Sequence, residues 1–160
     1  ESFFHDIYYY MEKSTNRMHA FIHCQEEAGV DITKVCKHGS TRWLSHGKMT
    51  KWVLKHWDPL TAFFKAECEE EKSASKEVKT RQSVEASHSR KQRVLENLRS
   101  RTFKLNLLFM DFIIPFFDRV NLELKSEEPM IHKQAAQIKE LIKQIMAMFV
   151  KPAAMIYKDT

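Results

Sequence analysis

The segment Cys36–Trp57 holds the residue types in this chain that are best suited to chemistry. Between Ile32 and Trp57 there are six lysine or arginine residues, three histidines and no acidic residue, and all three tryptophans lie there. Basic side chains neutralise backbone phosphates, and an aromatic ring can stack on an unpaired base. This composition indicates a surface for a nucleic-acid backbone. The alternative is a solvated basic face whose tryptophans belong to a core.

A helix over residues 44–57 is the element that would position these side chains. Its spacing places Lys48, Lys51 and Lys55 on one face and an apolar set on another. The apolar set is Met49, Trp52, Val53 and His56. We therefore predict an amphipathic helix whose basic face is free to meet a phosphate backbone while its other face enters the core.

The rest of the chain also predicts helices, so the predicted fold class is all-α. Only three glycines and four prolines occur, and apolar residues recur at helical spacing. We predict five or six helices in a bundle-like arrangement, with a long central helix over 103–124 that is covered on most sides and kinked at Pro115. Trp52 and Trp57 are predicted core residues, and Asp58 is the predicted N-cap of the helix that follows.

Three regions are predicted within one domain or lobe. Residues 1–71 hold the N-terminal helices with the basic segment, and residues 94–160 hold the long core helix and a C-terminal amphipathic helix. Residues 72–93 are polar and basic. They offer too few apolar side chains to offset their ordering entropy, so they form either a linker or a solvated helix.

The sequence contains no motif for catalysis, for a cofactor or for a membrane span. A Gly-rich phosphate loop, a nucleophile elbow and an HExxH motif are all missing. Asp111 and Asp118 share one stripe of the long helix, but their apolar neighbours favour a structural polar stripe over a catalytic pair. Four potential zinc ligands are His19, His23, Cys36 and His38. Their spacing matches no finger, so no metal is predicted. Three cysteines without framework spacing indicate reduced thiols inside a cell.

Three blocks of the sequence together resemble hAT-superfamily transposases and the cellular proteins derived from them. The blocks are STRWLSHGKMTKWVLKHWDPLTAFF, LLFMDFIIPFFDRVNLELKSEEPMIHK and IMAMFVKP. They are similar to the family's Thr-Arg-Trp-Leu-Ser segment, to its long helix with a Glu-Glu-Pro-(Leu/Met)-Ile-His turn, and to a helix ending in Phe-Val-Lys-Pro. The resemblance covers most of the chain and leaves about residues 72–93 unmatched.

The resemblance implies that this chain is the helical insertion of an RNase H-like catalytic domain. It implies that two catalytic acids lie before Glu1 and the third after Thr160, so that this piece is not an enzyme by itself. It also implies a nuclear, DNA-associated protein in which Arg42 and Trp43 lie near the active site, where the tryptophan can stack on an unpaired base. The parent protein could be an active transposase or a domesticated relative.

The predicted partner is therefore DNA, with no cofactor. The candidate nucleic-acid-binding residues are Arg42, Trp43, His46, Lys48, Lys51 and Lys55. The competing interpretation is a helical scaffold without DNA affinity, which would bind a protein partner or a second copy of the chain through its many Phe and Met residues.

Overall fold

The computed structural model describes residues 2–35, 43–73, 81–124 and 131–151, with side chains for residues 3–35, 46–69, 90–123 and 134–151. Within these ranges every regular element is an α-helix, which confirms the predicted all-α class. The helices are α1 (Ser2–Glu12), α2 (Thr15–Glu27), α3 (Trp43–Lys55), α4 (Trp57–Ser73), α5 (Arg81–Arg99), α6 (Arg101–Leu124) and α7 (Ile131–Phe149).

The described ranges contain seven helices, more than the five or six that the sequence predicts, and α5 is the additional one. The sequence left open whether this polar region is a linker or a helix, and from Arg81 onward it is helical. Val94, Leu95 and Leu98 in the second half of α5 are buried. Burial of these three side chains stabilises the helix and offsets the entropy lost when the chain is ordered, which the polar first half of α5 cannot do by itself.

The chain divides into two compact units, Glu1–Phe112 and Ile113–Thr160. In the first unit, α1 packs against α2 and α5, and α4 packs against α2, α3 and α5. The Phe21 ring centroid lies 5.8 Å from that of Phe63 and 6.0 Å from that of Trp52. Aromatic rings attract each other at such separations. These contacts join α2, α3 and α4 around one aromatic centre.

The predicted core residues of α3 and the start of α4 are confirmed. Those found buried are Met49, Trp52, Val53, His56 and Trp57. The predicted N-cap is wrong, because α4 already begins at Trp57 and Asp58 lies in its first turn. The His56 amide donates to the Trp52 carbonyl at 3.0 Å, and the His56 carbonyl accepts from the Leu60 amide at 2.9 Å. Helical hydrogen bonding thus continues from α3 into α4, and no side-chain cap is needed.

Helix α6 is less covered in the first unit than the sequence predicts. Leu105 is 65% exposed, and Leu108 is also exposed. The inner side of the same helix carries the buried Leu107 and the ring of Phe103, whose centroid lies 4.7 Å from that of Phe3. The prediction of a helix covered on most sides is therefore wrong here. An apolar sequence shows which side chains could be buried, but it does not show how many neighbouring elements exist.

The second unit contains the end of α6, from Ile113, and the whole of α7. Val120 of α6 and Leu141 of α7 are buried, and the Gln137 amide donates to Glu123 at 3.0 Å. The Gln137–Glu123 hydrogen bond therefore joins the two helices, and each helix also carries a buried apolar side chain. None of the helices in the described ranges is long and apolar enough to cross a membrane.

Candidate nucleic-acid interface

Helix α3 has one buried face and one basic face, as the sequence predicts. Lys48, Lys51 and Lys55 are exposed, whereas Met49 and Val53 are buried. At roughly 100° per residue, the three lysines fall within about 60° of the helix circumference, and they span about 10 Å along its axis. The result is a short line of positive charges, called the lysine row below.

The loop over residues 30–35 is fastened to the helices through Thr33. The Thr33 amide donates to Gln25 Oε1 at 3.2 Å, and Gln25 Nε2 donates to the Thr33 carbonyl at 3.0 Å. Trp52 Nε1 donates to the Thr33 hydroxyl at 2.9 Å, and this hydroxyl lies 3.1 Å from His56 Nε2. Gln25 and His56 are fully buried, so these bonds satisfy polar groups that water cannot reach. We call this set the Thr33 clamp.

The geometry of the Thr33 clamp assigns two of its hydrogen-bond donors, His56 Nδ1 and Trp52 Nε1. His56 Nδ1 lies 2.8 Å from the Trp52 carbonyl oxygen, which can only accept, so Nδ1 carries a proton. His56 Nε2 lies 3.1 Å from the Thr33 hydroxyl oxygen and 3.2 Å from the Asp31 carbonyl oxygen, within hydrogen-bond distance of both. The hydroxyl oxygen accepts in turn from Trp52 Nε1. Trp52 is therefore both a core side chain and the donor that holds the loop against α3.

Replacing Thr33 with valine is expected to lower the free energy of unfolding by about 1–2 kcal/mol. Valine keeps the shape of the side chain but removes the hydroxyl group that contacts Trp52 Nε1 and His56 Nε2. Thr61→Val is the matched control, because the Thr61 hydroxyl donates to the Trp57 carbonyl of its own helix at 2.8 Å. Chemical denaturation followed by circular dichroism measures both variants. If the two variants lost the same free energy of unfolding, the hydrogen bonds of the Thr33 clamp would contribute no more than one bond within a helix.

Lys55 differs from the rest of the lysine row because it forms an ion pair with Asp31. Asp31 lies in the clamped loop, and its backbone carbonyl oxygen is 3.2 Å from His56 Nε2. The hydrogen bond and the positive charge of Lys55 lower the pKa of Asp31 below its ordinary value. The stabilisation from this pair is therefore complete above the pKa of an unfolded aspartate and is lost as the pH falls through the lowered folded pKa.

Of the six predicted binding residues, the structure brings the three lysines together. Arg42 lies outside the described residues, and Trp43 is the first residue of α3, with a side chain that also lies outside them. His46 is half-buried, and its ring centroid is 6.1 Å from that of Phe4 in α1. The imidazole therefore packs at the edge of the core and is less accessible than the lysines.

Asp31 is the residue of this surface that the sequence interpretation missed. It directly precedes Ile32, where the acid-free stretch begins. Its position next to that stretch was the only available signal. Helical spacing could not reveal the pairing with Lys55, because Asp31 belongs to a loop whose direction is set by the Thr33 clamp.

The potential zinc ligands do not form a site within the part of the chain that the structure describes. His19 and His23 are exposed on α2, and Cys36 and His38 lie outside the described residues. No three ligand side chains among those described are close enough to share a metal ion. Burial raises the pKa of the Cys24 thiol above its ordinary value, which lowers its thiolate fraction near neutral pH.

Comparisons of the chain with protein-family models, with curated proteins and with solved structures found no match. The transposase resemblance therefore rests on the three sequence blocks alone.

Proposed function

We propose that this chain is a non-catalytic helical piece of a nuclear, hAT transposase-like protein, and that its lysine row binds the phosphate backbone of DNA. The observation that carries the proposal is the division of α3. Lys48 and Lys51 are exposed on one face, while Met49 and Val53 anchor the other face in the core. The backbone of an anchored helix loses little further freedom when its lysines meet a phosphate strand, and the lysines release the condensed counterions of that strand.

The resemblance adds the start of α3 to this proposal. By the resemblance, Arg42 would add a positive charge and the Trp43 indole would stack on an unpaired base. The same resemblance supplies the bundle-like insertion fold, and the position of Pro115 within α6 predicts a bend of that helix. Proline lacks the amide hydrogen that an uninterrupted helix would donate at that position, and its ring presses on the preceding turn. No cofactor and no cleavage step belong to this proposed role.

Replacing both Lys48 and Lys51 with glutamine is expected to weaken binding of a fluorescent single-stranded DNA by roughly tenfold or more near 50 mM salt. Each lost phosphate contact lowers the slope of log K against log salt concentration by about 0.7 on a single strand, so the slope should fall by about 1.4. Fluorescence anisotropy at several salt concentrations measures both quantities. Lys13→Gln with Lys65→Gln is the matched control, because both lysines are exposed and lie outside α3.

Two results would contradict the proposal. The first is a parent protein without salt-dependent DNA binding. The second is an equal loss of affinity in the control pair, which would mean that only net charge matters. A Trp43→Ala variant measured on a hairpin with unpaired bases adds a test of stacking, which should weaken binding without changing the salt slope.

The alternative function, a protein-binding or dimerisation scaffold, is favoured by apolar side chains that each unit exposes. Leu105 and Leu108 are exposed in the first unit, and Ile138 and Ile142 are exposed in the second. Helical i, i+3 and i, i+4 pairs of this kind are common anchors between helices. Light scattering distinguishes the two functions, since a stable dimer without DNA affinity would favour the scaffold.

A further inference from the structure

We propose that Asp31 is an internal counter-ion of the lysine row, which competes with a DNA phosphate for Lys55 and sets how many phosphates the row engages. This inference rests on the proposed function and concerns the same surface. Its basis is the ion pair between Lys55 and Asp31, which joins the end of α3 to the clamped loop. No carboxylate among the described side chains is paired with Lys48 or Lys51.

Lys55 can exchange the Asp31 carboxylate for a phosphate because both side chains are open to solvent. The Lys55 side chain is 50% exposed and that of Asp31 is 79% exposed. A lysine ammonium group is a point charge that does not require one acceptor geometry, so carboxylate and phosphate oxygens are equivalent partners for it. Exposed ion pairs contribute little stability, and therefore a phosphate can replace the carboxylate at small cost.

The clamped loop keeps Asp31 beside the row after any such exchange. The Asp31 carbonyl lies 3.2 Å from His56 Nε2, and Thr33, two residues later, is held by four hydrogen-bonding contacts to Gln25, Trp52 and His56. A displaced carboxylate would therefore stay close to the incoming phosphate, and the two negative charges would repel each other. The unmodified row should consequently engage two phosphates, through Lys48 and Lys51, and only weakly a third.

Replacing Asp31 with asparagine tests this inference on the full chain. The expected result is a steeper dependence of single-stranded DNA binding on salt, with the slope larger by about 0.7, and roughly fivefold to tenfold tighter binding near 50 mM salt. Asparagine keeps the size of the side chain, and the loop contact to His56 uses the backbone of residue 31. The fold should therefore be retained, which a thermal melt checks.

Two further variants make the result specific to the pair. Glu26→Gln removes the same charge from an exposed position on α2, and it should change affinity by no more than about twofold and leave the slope unaltered. In a Lys55→Gln background, Asp31→Asn should lose most of its effect, because the lysine that it would release is gone.

The outcomes separate this inference from the proposed function. If neither the parent nor the Asp31→Asn variant shows salt-dependent binding, the proposed function fails and the inference fails with it. If the parent binds and Asp31→Asn behaves like Glu26→Gln, the inference alone is wrong. An effect of Asp31→Asn that persists without Lys55 also overturns it, since the carboxylate would then act through general repulsion.

Discussion

Replacing Leu60 with alanine is expected to lower the free energy of unfolding by about 2–5 kcal/mol. Leu60 is completely buried in the first unit, in the cluster that also contains Phe63 and Trp52. Truncation removes its apolar surface from the core and leaves a cavity that close-packed neighbours fill only in part. Chemical denaturation followed by circular dichroism measures the loss, and the midpoint should shift without a change in slope.

Leu105→Ala is the matched control for this substitution. It makes the same chemical change on a helix of the same unit, at a side chain that is 65% exposed. Leucine and alanine are both strong helix formers, so the loss should stay within about 0.5 kcal/mol. A loss at Leu105 comparable to that at Leu60 would mean that a protein contact covers this part of α6 in solution. Such a result would strengthen the scaffold interpretation.

Replacing Asp6 with alanine is expected to lower the free energy of unfolding by about 2–3 kcal/mol. Asp6 of α1 is 7% exposed, and its two carboxylate oxygens accept from Arg93 Nη2 of α5 at 2.9 and 2.8 Å. Arg93 Nε donates to the same carboxylate at 3.0 Å, and Arg90 Nε lies 3.6 Å away. Removal of the acid takes away the carboxylate that the two guanidinium groups share. The loss stays moderate because the Arg93 side chain is 50% exposed and water can solvate it.

A double-mutant cycle isolates the contribution of this pair. Arg93→Ala alone should cost more than an ordinary surface substitution, because the buried Asp6 carboxylate loses the Arg93 hydrogen bonds and keeps Arg90 Nε at 3.6 Å. The double variant should be less destabilised than the sum of the two single variants, with a coupling of about 1–2 kcal/mol. Additive losses would show that the Asp6–Arg93 pair contributes nothing to the contact between α1 and α5.

These stability variants also serve as controls for the binding experiments, because they separate effects on folding from effects on DNA binding. Leu60 and Asp6 are buried residues of α4 and α1 and do not belong to the lysine row of α3. Their substitution should change stability and leave the DNA affinity of the folded protein unaltered. Lys48, Lys51 and Asp31 are exposed, and their substitution should do the opposite. If a variant changed both stability and DNA affinity, its loss of affinity would reflect impaired folding and not a lost contact of the lysine row.

The sequence by itself determined the helical class and the two faces of α3. Low glycine and proline content and helical spacing suffice for these conclusions, because the period of about 3.6 residues fixes which side chains share a face. The same spacing identified Trp52 and Trp57 as core residues, and both are buried. Trp43 stays the one tryptophan assigned to stacking, and that role rests on the family resemblance.

The tertiary structure alone decided which distant groups meet. Asp6 and Arg93 are 87 residues apart, and Asp31 and Lys55 are 24 residues apart, so no periodicity within one helix could pair them. The exposure of Leu105 is likewise a property of the packing, because it depends on which elements are neighbours in space. Local spacing orders the side chains around each helix axis. Only the packing of the helices and the path of the clamped loop bring an acid to the end of the lysine row.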